Sequence, residues 1–181
     1  MRKSGETLIV TTRSILFQAL FILIFTGILG AQTTREKSAL LTGDEAKRLA
    51  KQCSRDSPSD FTGTWEPPVD VLTAMEKRLS EISSLRAKCC IEDAGIENPK
   101  AWYLQYAALV WHGKKIIYIS AIGREQPTDF VREGDSGPFK EVASDSWKSF
   151  AVVICDGANA WGVIYDPESG KFSNLSINGV G

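Results

Sequence analysis

Residues 149–179 constrain this chain more than any other stretch. Three short β-rich runs, 150–155, 161–165 and 172–177, are separated by two turn signals, Asp156-Gly157-Ala158-Asn159 and Asp166-Pro167-Glu168-Ser169-Gly170. Gly and Asn tolerate positive φ, Pro presets φ at the second position of a turn, and Asp caps a turn with its own carboxylate. The segment therefore predicts a three-stranded antiparallel meander. It argues for a fold and names no reaction.

A second strand block lies upstream. The runs 102–111 and 115–122 flank His112-Gly113, a dipeptide suited to a two-residue hairpin turn. Both runs carry apolar residues on alternate and intervening positions, as central strands do. If helices cover one face only, Tyr103 and Trp111 stand on the open one and form a contact surface. Two helical patterns precede this block. Thr42 and Glu45 have the spacing of a capping box ahead of Ala46, Leu49, Ala50 and Cys53 on one face. Beyond Pro67-Pro68, the residues Val69, Leu72, Met75, Leu79, Ile82 and Leu85 recur at helical steps over 69–87. Residues 54–68 read as a loop that Phe61 and Trp65 pin to the core. The stretch 123–148 shows no clear periodicity and reads as a long loop.

These elements predict an α+β fold. An antiparallel sheet of about five strands (102–111, 115–122, 150–155, 160–166 and 171–177) carries one or two helices on one face. An N-terminal hydrophobic helix precedes it. Residues 14–31 contain no charge, while Arg2, Lys3 and Arg13 flank them against the single acid Glu6. That arrangement reads as an export signal ending at Ala31, or as a single-span anchor if it is retained. The domain plan is thus a signal or anchor at 1–31, a polar spacer at 32–41, and one α+β domain at 42–181. Either reading places the domain outside the cytoplasm, periplasmic or secreted or anchored in the inner membrane, and limits membrane contact to residues 14–31.

The chain holds 21 basic and 22 acidic side chains. Without its first 31 residues 18 remain against 21, a net of −3, and no basic face points to nucleic acid. Four cysteines, Cys53, Cys89, Cys90 and Cys155, read as two disulfides in an oxidising space. Three pairings are possible. A bond between neighbours is strained, so the expectation is that Cys89 and Cys90 each pair with Cys53 or Cys155.

Trp65-Glu66-Pro67, Tyr103-x-Gln105-Tyr106, Ile117-Tyr118-Ile119, Cys155-Asp156-Gly157, Trp161-Gly162-Val163-x-Tyr165-Asp166-Pro167, Phe172-x-x-Leu175 and Asn178-Gly179 form a pattern. It resembles a group of small exported bacterial α+β proteins to which no activity is assigned. The resemblance covers 61–179 and implies bacterial export and a compact α+β domain, with no mechanism. Where relatives can carry a cysteine at the end of the second strand this chain has Ile122, so the resemblance carries no disulfide pairing over.

The chemistry-bearing residues do not compose a catalytic set. His112, the single histidine, falls at a hairpin tip rather than beside a nucleophile. Asp156 and Asp166 bracket one strand, about 20 Å apart at a strand's rise per residue, too far for a glycosidase pair. Glu133 and Asp135 lack the ligand count of a calcium loop, and no metal or cofactor site is expected. Asn174-Leu175-Ser176 matches a glycan-acceptor triplet, which a bacterial source would leave bare.

The aromatic residues are more suggestive. Tyr103, Trp111, Tyr118, Trp161 and Tyr165 all fall on predicted strands and are the candidate binding residues. The expectation is a non-catalytic exported binding module for a macromolecule, either a protein or an envelope glycan. The alternatives are a hydrolase-like enzyme using acids of the 123–148 loop and a membrane-anchored protein of structural role.

Overall fold

The computed structural model describes residues 36–132, 139–155, 157 and 159–179. The fold is α+β, built on a mixed sheet. Strands β1 (Ser38–Leu41), β2 (Gly63–Thr64), β3 (Tyr103–Trp111), β4 (Lys114–Gly123), β7 (Trp161–Asp166) and β8 (Lys171–Ile177) form one six-stranded sheet in the order β1-β3-β4-β7-β8. β2 pairs with the far half of β3 on the same side as β1. β5 (Thr128–Arg132) and β6 (Phe139–Ala143) make a separate antiparallel hairpin.

The two local hairpins form as their turns predict. His112 and Gly113 both take positive φ, 49° and 75°, and set Trp111 opposite Lys114. The Asp166 carboxylate accepts the Glu168 backbone N–H at 2.9 Å and holds the turn between β7 and β8. β8 then departs from a regular ladder. Gly162 pairs with Ser176 and Ile164 with Ser173, so Asn174 and Leu175 both face Val163. Asn174 absorbs this bulge at φ 53°.

Several expectations are corrected. The sheet is mixed rather than antiparallel, because β1 runs parallel to β3 from within the stretch read as spacer. Helices cover both faces, not one. Helix α2 (Val69–Lys77) ends early, and a 3-10 turn over Leu79–Ser84 continues its path. Together they bury Met75, Leu79 and Ile82 against the first face with Leu104, Tyr106, Ile117, Ile119, Trp161, Val163 and Tyr165. Each such buried side chain contributes about 1.5–3 kcal/mol before entropy is subtracted. Helix α1 (Gly43–Leu49) covers the second face, where Leu41, Ala46, Leu49 and Ala50 pack on Ala107, Leu109, Ile116 and Ile164.

The capping box at Thr42 is not made. Thr42 makes no side-chain cap hydrogen bond, and Glu45 instead accepts the Ala151 backbone N–H at 2.7 Å. The loop 54–68 is pinned at Phe61 and Trp65, the Trp65 indole donating to the Ile116 carbonyl at 3.0 Å. Part of the 123–148 stretch is the β5–β6 hairpin rather than loop. Among the described residues no helix is long and apolar enough to cross a membrane. The predicted signal or anchor at 14–31 lies outside the described residues, as do Glu133, Asp135 and Asp156.

The predicted strand 150–155 pairs with no other strand among the described residues. It lies on the second face as a segment whose backbone is bound by side chains. Gln105, fully buried, donates to the Trp147 and Phe150 carbonyls and accepts the Val152 N–H at 2.9 Å. Gln52 accepts the Ile154 N–H at 3.2 Å, and the Asn178 amide donates to the Ile154 carbonyl at 3.0 Å. The Cys53–Cys155 disulfide ties the segment's end to the loop after α1, with Cα atoms 5.0 Å apart.

The second disulfide joins Cys89 to Cys90. This overturns the expected pairing: Cys155 takes Cys53, which leaves Cys89 and Cys90 to each other. Cys89 is bridged to Ser176 of β8. Cys90 takes φ 76°, which lets the chain turn within the ring that the vicinal bond closes.

Candidate functional site

The second face of β4 and β7 is polar where it meets the loop that follows α1. Tyr118 and Ser120 alternate onto this face, and Gly162 of β7 lies beside them in register: Ser120 pairs with Gly162 and Tyr118 with Ile164. A Cβ at Gly162 would collide with the Tyr118 hydroxyl and lie 3.0 Å from Arg55 Nε. Glycine is therefore required there by space, not by φ.

Into this gap the loop inserts Arg55, 5% exposed. Its guanidinium donates to the Tyr118 hydroxyl at 3.1 Å, to Ser120 Oγ at 2.7 Å and to Asn178 Oδ1. All three partners are neutral. A buried cation without an ion pair is costly unless its donors are satisfied, and here three neutral oxygens do that work. Burial pushes the Tyr118 hydroxyl above the ordinary tyrosine value, and the Arg55 charge opposes that rise. The next two residues of the loop are tied as well. The Asp56 backbone N–H donates to Ser176 Oγ at 3.0 Å, and Ser57 Oγ donates to the Ala50 carbonyl at 2.7 Å.

Beside this network a cavity of about 320 Å³ opens on the same face. Trp111, Tyr118, Ile164 and Leu175 supply its apolar walls, while Asp56, Lys88, Asn174 and Ser176 supply polar ones. Its volume falls at the small end of the range for ligand clefts. Five separate elements build it: the loop after α1, the residue before the vicinal disulfide, the β3–β4 hairpin, β7 and the β8 bulge. Trp111 is fixed from outside the cavity. Its ring stacks on His112 at 4.3 Å and its indole N–H donates to Asp60 Oδ1. His112 Nε2 lies 2.9 Å from Asp60 Oδ2. The hydrogen bonds from His112 and then Trp111 hold the Asp60 carboxyl below its ordinary value.

The five candidate aromatic residues divide. Trp111 and Tyr118 meet at the cavity. Tyr103 is half-buried at the opposite end of β3, edge-on to Trp147 at 5.3 Å with Lys37 Nζ 5.1 Å from its ring. Trp161 and Tyr165 are buried in the first-face core, the former T-shaped against Trp102 at 5.9 Å and the latter against Phe172 at 5.0 Å. They therefore form no common exposed platform.

Sequence reasoning missed Arg55, Asp56, Lys88, Asn174 and Ser176. Arg55 sits between Ser54 and Asp56 in a segment without periodicity, so its type and neighbours read as solvated loop. The acids of the 123–148 stretch do not replace the cavity as a site. The described ones, Glu125, Asp129, Glu141 and Asp145, are all exposed. Asp129 accepts hydrogen bonds from Ser144 and Ser146, Glu141 accepts one from Thr128, and Asp145 pairs with Lys148 at 2.9 Å. Among the described residues no group of three or more His, Cys, Asp or Glu side chains is placed to hold a metal ion.

A second, wider cavity of about 830 Å³ lies at the far end of the sheet. Ile96, Trp102, Ile122 and Ile177 line it together with Arg124, whose guanidinium stands 5.1 Å from the Trp102 ring. Its floor is the margin of the first-face core. The chain matches no protein-family model, and no curated protein or solved structure matches it.

Proposed function

We propose that this is an exported, non-catalytic binding domain that holds one sugar unit of a glycan in the cavity bounded by Trp111 and Tyr118. One observation carries the reading: the cavity combines apolar walls with a rim of hydrogen-bonding groups. A sugar ring has the matching character, with C–H groups on its faces and hydroxyls around its edge. Trp111 offers a rigid aromatic surface for a face, and Asp56, Lys88 and Asn174 reach the edge. Aromatic anchors of this kind carry much of the energy of recognition. Export is supported by the uncharged run 14–31 and by two disulfides in one small domain.

The test is titration of the disulfide-bonded protein with a panel of soluble oligosaccharides, read by NMR at the indole N–H resonances. Saturable binding is expected, weakened about tenfold or more by Trp111→Ala, as loss of an anchor residue predicts. Absence of saturable binding across neutral, N-acetylated and acidic sugars at millimolar concentration would falsify the proposal. Intact mass of the protein recovered from the bacterial envelope, before and after reduction, tests the export reading. A mass retaining residues 1–31 together with free thiols overturns it.

A further inference from the structure

We infer that the sugar unit held in this cavity is anionic, carrying a carboxylate. The inference rests on the glycan reading above and specifies its ligand. It starts from the hydrogen-bond accounting of the cavity wall. The Tyr118 hydroxyl accepts from Arg55 Nε at 3.1 Å, and the Ser176 hydroxyl accepts from the Asp56 N–H at 3.0 Å. A hydroxyl has one proton to give, and an accepted bond turns that proton away from the donor. Neither hydroxyl proton has an acceptor among the described residues. Both residues are about 1% exposed, so their hydroxyls belong to the wall beneath the cavity and the donors that reach a ligand lie at the rim.

Lys88 adds an ammonium group on the same lining. It is exposed and forms no ion pair among the described residues. The Asn174 side-chain amide supplies further N–H donors. A rim with an ammonium and an amide as its donors fits a ligand group that only accepts. An ionised carboxylate is such a group.

Charge points the same way. Arg55 lies beside the Tyr118 hydroxyl, buried, with neutral partners alone among the described residues. Arg55 and Lys88 give two positive charges against the one negative charge of Asp56, which is exposed at the rim. A buried charge is screened less than an exposed one, so Arg55 acts on the cavity more strongly than Asp56 does at equal distance. A bound carboxylate supplies a counter-charge that Arg55 does not have among the described residues. A phosphate group shares the acceptor chemistry, and the experiment separates the two.

The experiment is calorimetric titration of the disulfide-bonded protein with D-glucuronate, D-glucose and inorganic phosphate, repeated for Lys88→Gln. Glucuronate should bind about tenfold more tightly than glucose, and the preference should shrink as salt is raised. Lys88→Gln, an exposed substitution, should weaken glucuronate about tenfold more than it weakens glucose. Equal affinity for the two sugars, or no effect of Lys88→Gln, overturns the anionic assignment and leaves the glycan reading standing. Phosphate binding as tightly as glucuronate keeps the anion site and overturns the sugar. Binding of none of the three overturns both.

Discussion

The two faces of the sheet are made by different physics, although the same strands supply both. The first face is apolar throughout. Met75, Leu79 and Ile82 lie on Ile117, Ile119, Trp161 and Val163, and burial alone accounts for its cohesion. The second face has an apolar patch under α1, but its outer layer is held by polar side chains reaching across the chain. Glu45, Gln52, Gln105 and Asn178 bind the backbone of the 147–154 segment, and Arg55 joins Tyr118 of β4 to Asn178. The difference is instructive because the cavity beside Arg55 opens on the polar face, where a layer assembled from directed bonds between loops leaves room and leaves donors at the rim.

The largest expected effect falls on the first face. Trp161→Ala should cost about 3–5 kcal/mol in denaturant unfolding, the range for a large core aromatic. Trp161→Phe should cost much less, since the Trp161 indole N–H is buried without a partner. A Trp161→Ala variant of near native stability would show that the first face is not the main source of cohesion.

The next effect tests the second face's covalent tie. Replacing Cys53 and Cys155 by Ala opens a link between positions 102 residues apart. It should cost about 2–4 kcal/mol, as expected for a long closed loop. The same replacement at Cys89 and Cys90, one residue apart, should leave the unfolding midpoint nearly unchanged. Equal losses for the two pairs would break this contrast.

A smaller effect is expected at Gln105. Gln105→Leu strands the Trp147 and Phe150 carbonyls and the Val152 N–H, and should cost about 1–3 kcal/mol. Hydrogen exchange should accelerate over 147–154 and stay slow in β4 and β7. Uniform acceleration would mean that the two faces do not separate.

The smallest is a pH effect at Glu45. The Ala151 N–H, then the Arg48 side chain, holds its carboxyl below the ordinary 4.5. A carboxyl depressed in the folded state adds stability above its unfolded pKa and loses it as pH falls through the folded one. The native protein should therefore lose more stability than Glu45→Gln on acidification below 4.5. Parallel pH curves would remove Glu45 from the polar tie.

What was legible in the sequence follows the same division. The hairpins at His112-Gly113 and Asp166 were readable because positive φ and carboxylate capping are local requirements. The helical stripe over 69–87 was readable as an apolar face, though not its change to a tighter turn after Lys77. The 150–155 run was read as a strand because its residues favour extended backbone. Its hydrogen bonds go instead to Gln, Glu and Asn side chains up to 106 positions away, and no local pattern announces that. Likewise Trp111 and Tyr118 stood out by type, while Arg55, Lys88 and Asn174 reach the cavity from irregular segments. The neighbouring cysteines were kept apart on grounds of local strain. With Cys53 joined to Cys155, the neighbours are left to each other.

The Asn174 bulge has one more consequence. β8 ends the sheet, and an outermost strand with a regular row of backbone groups invites another chain to lie alongside it. Here the row is broken twice. Asn174 turns out of register, and Lys88 N–H occupies the Leu175 carbonyl at 3.0 Å. The border of the sheet thus carries its own guard against stacking copy upon copy.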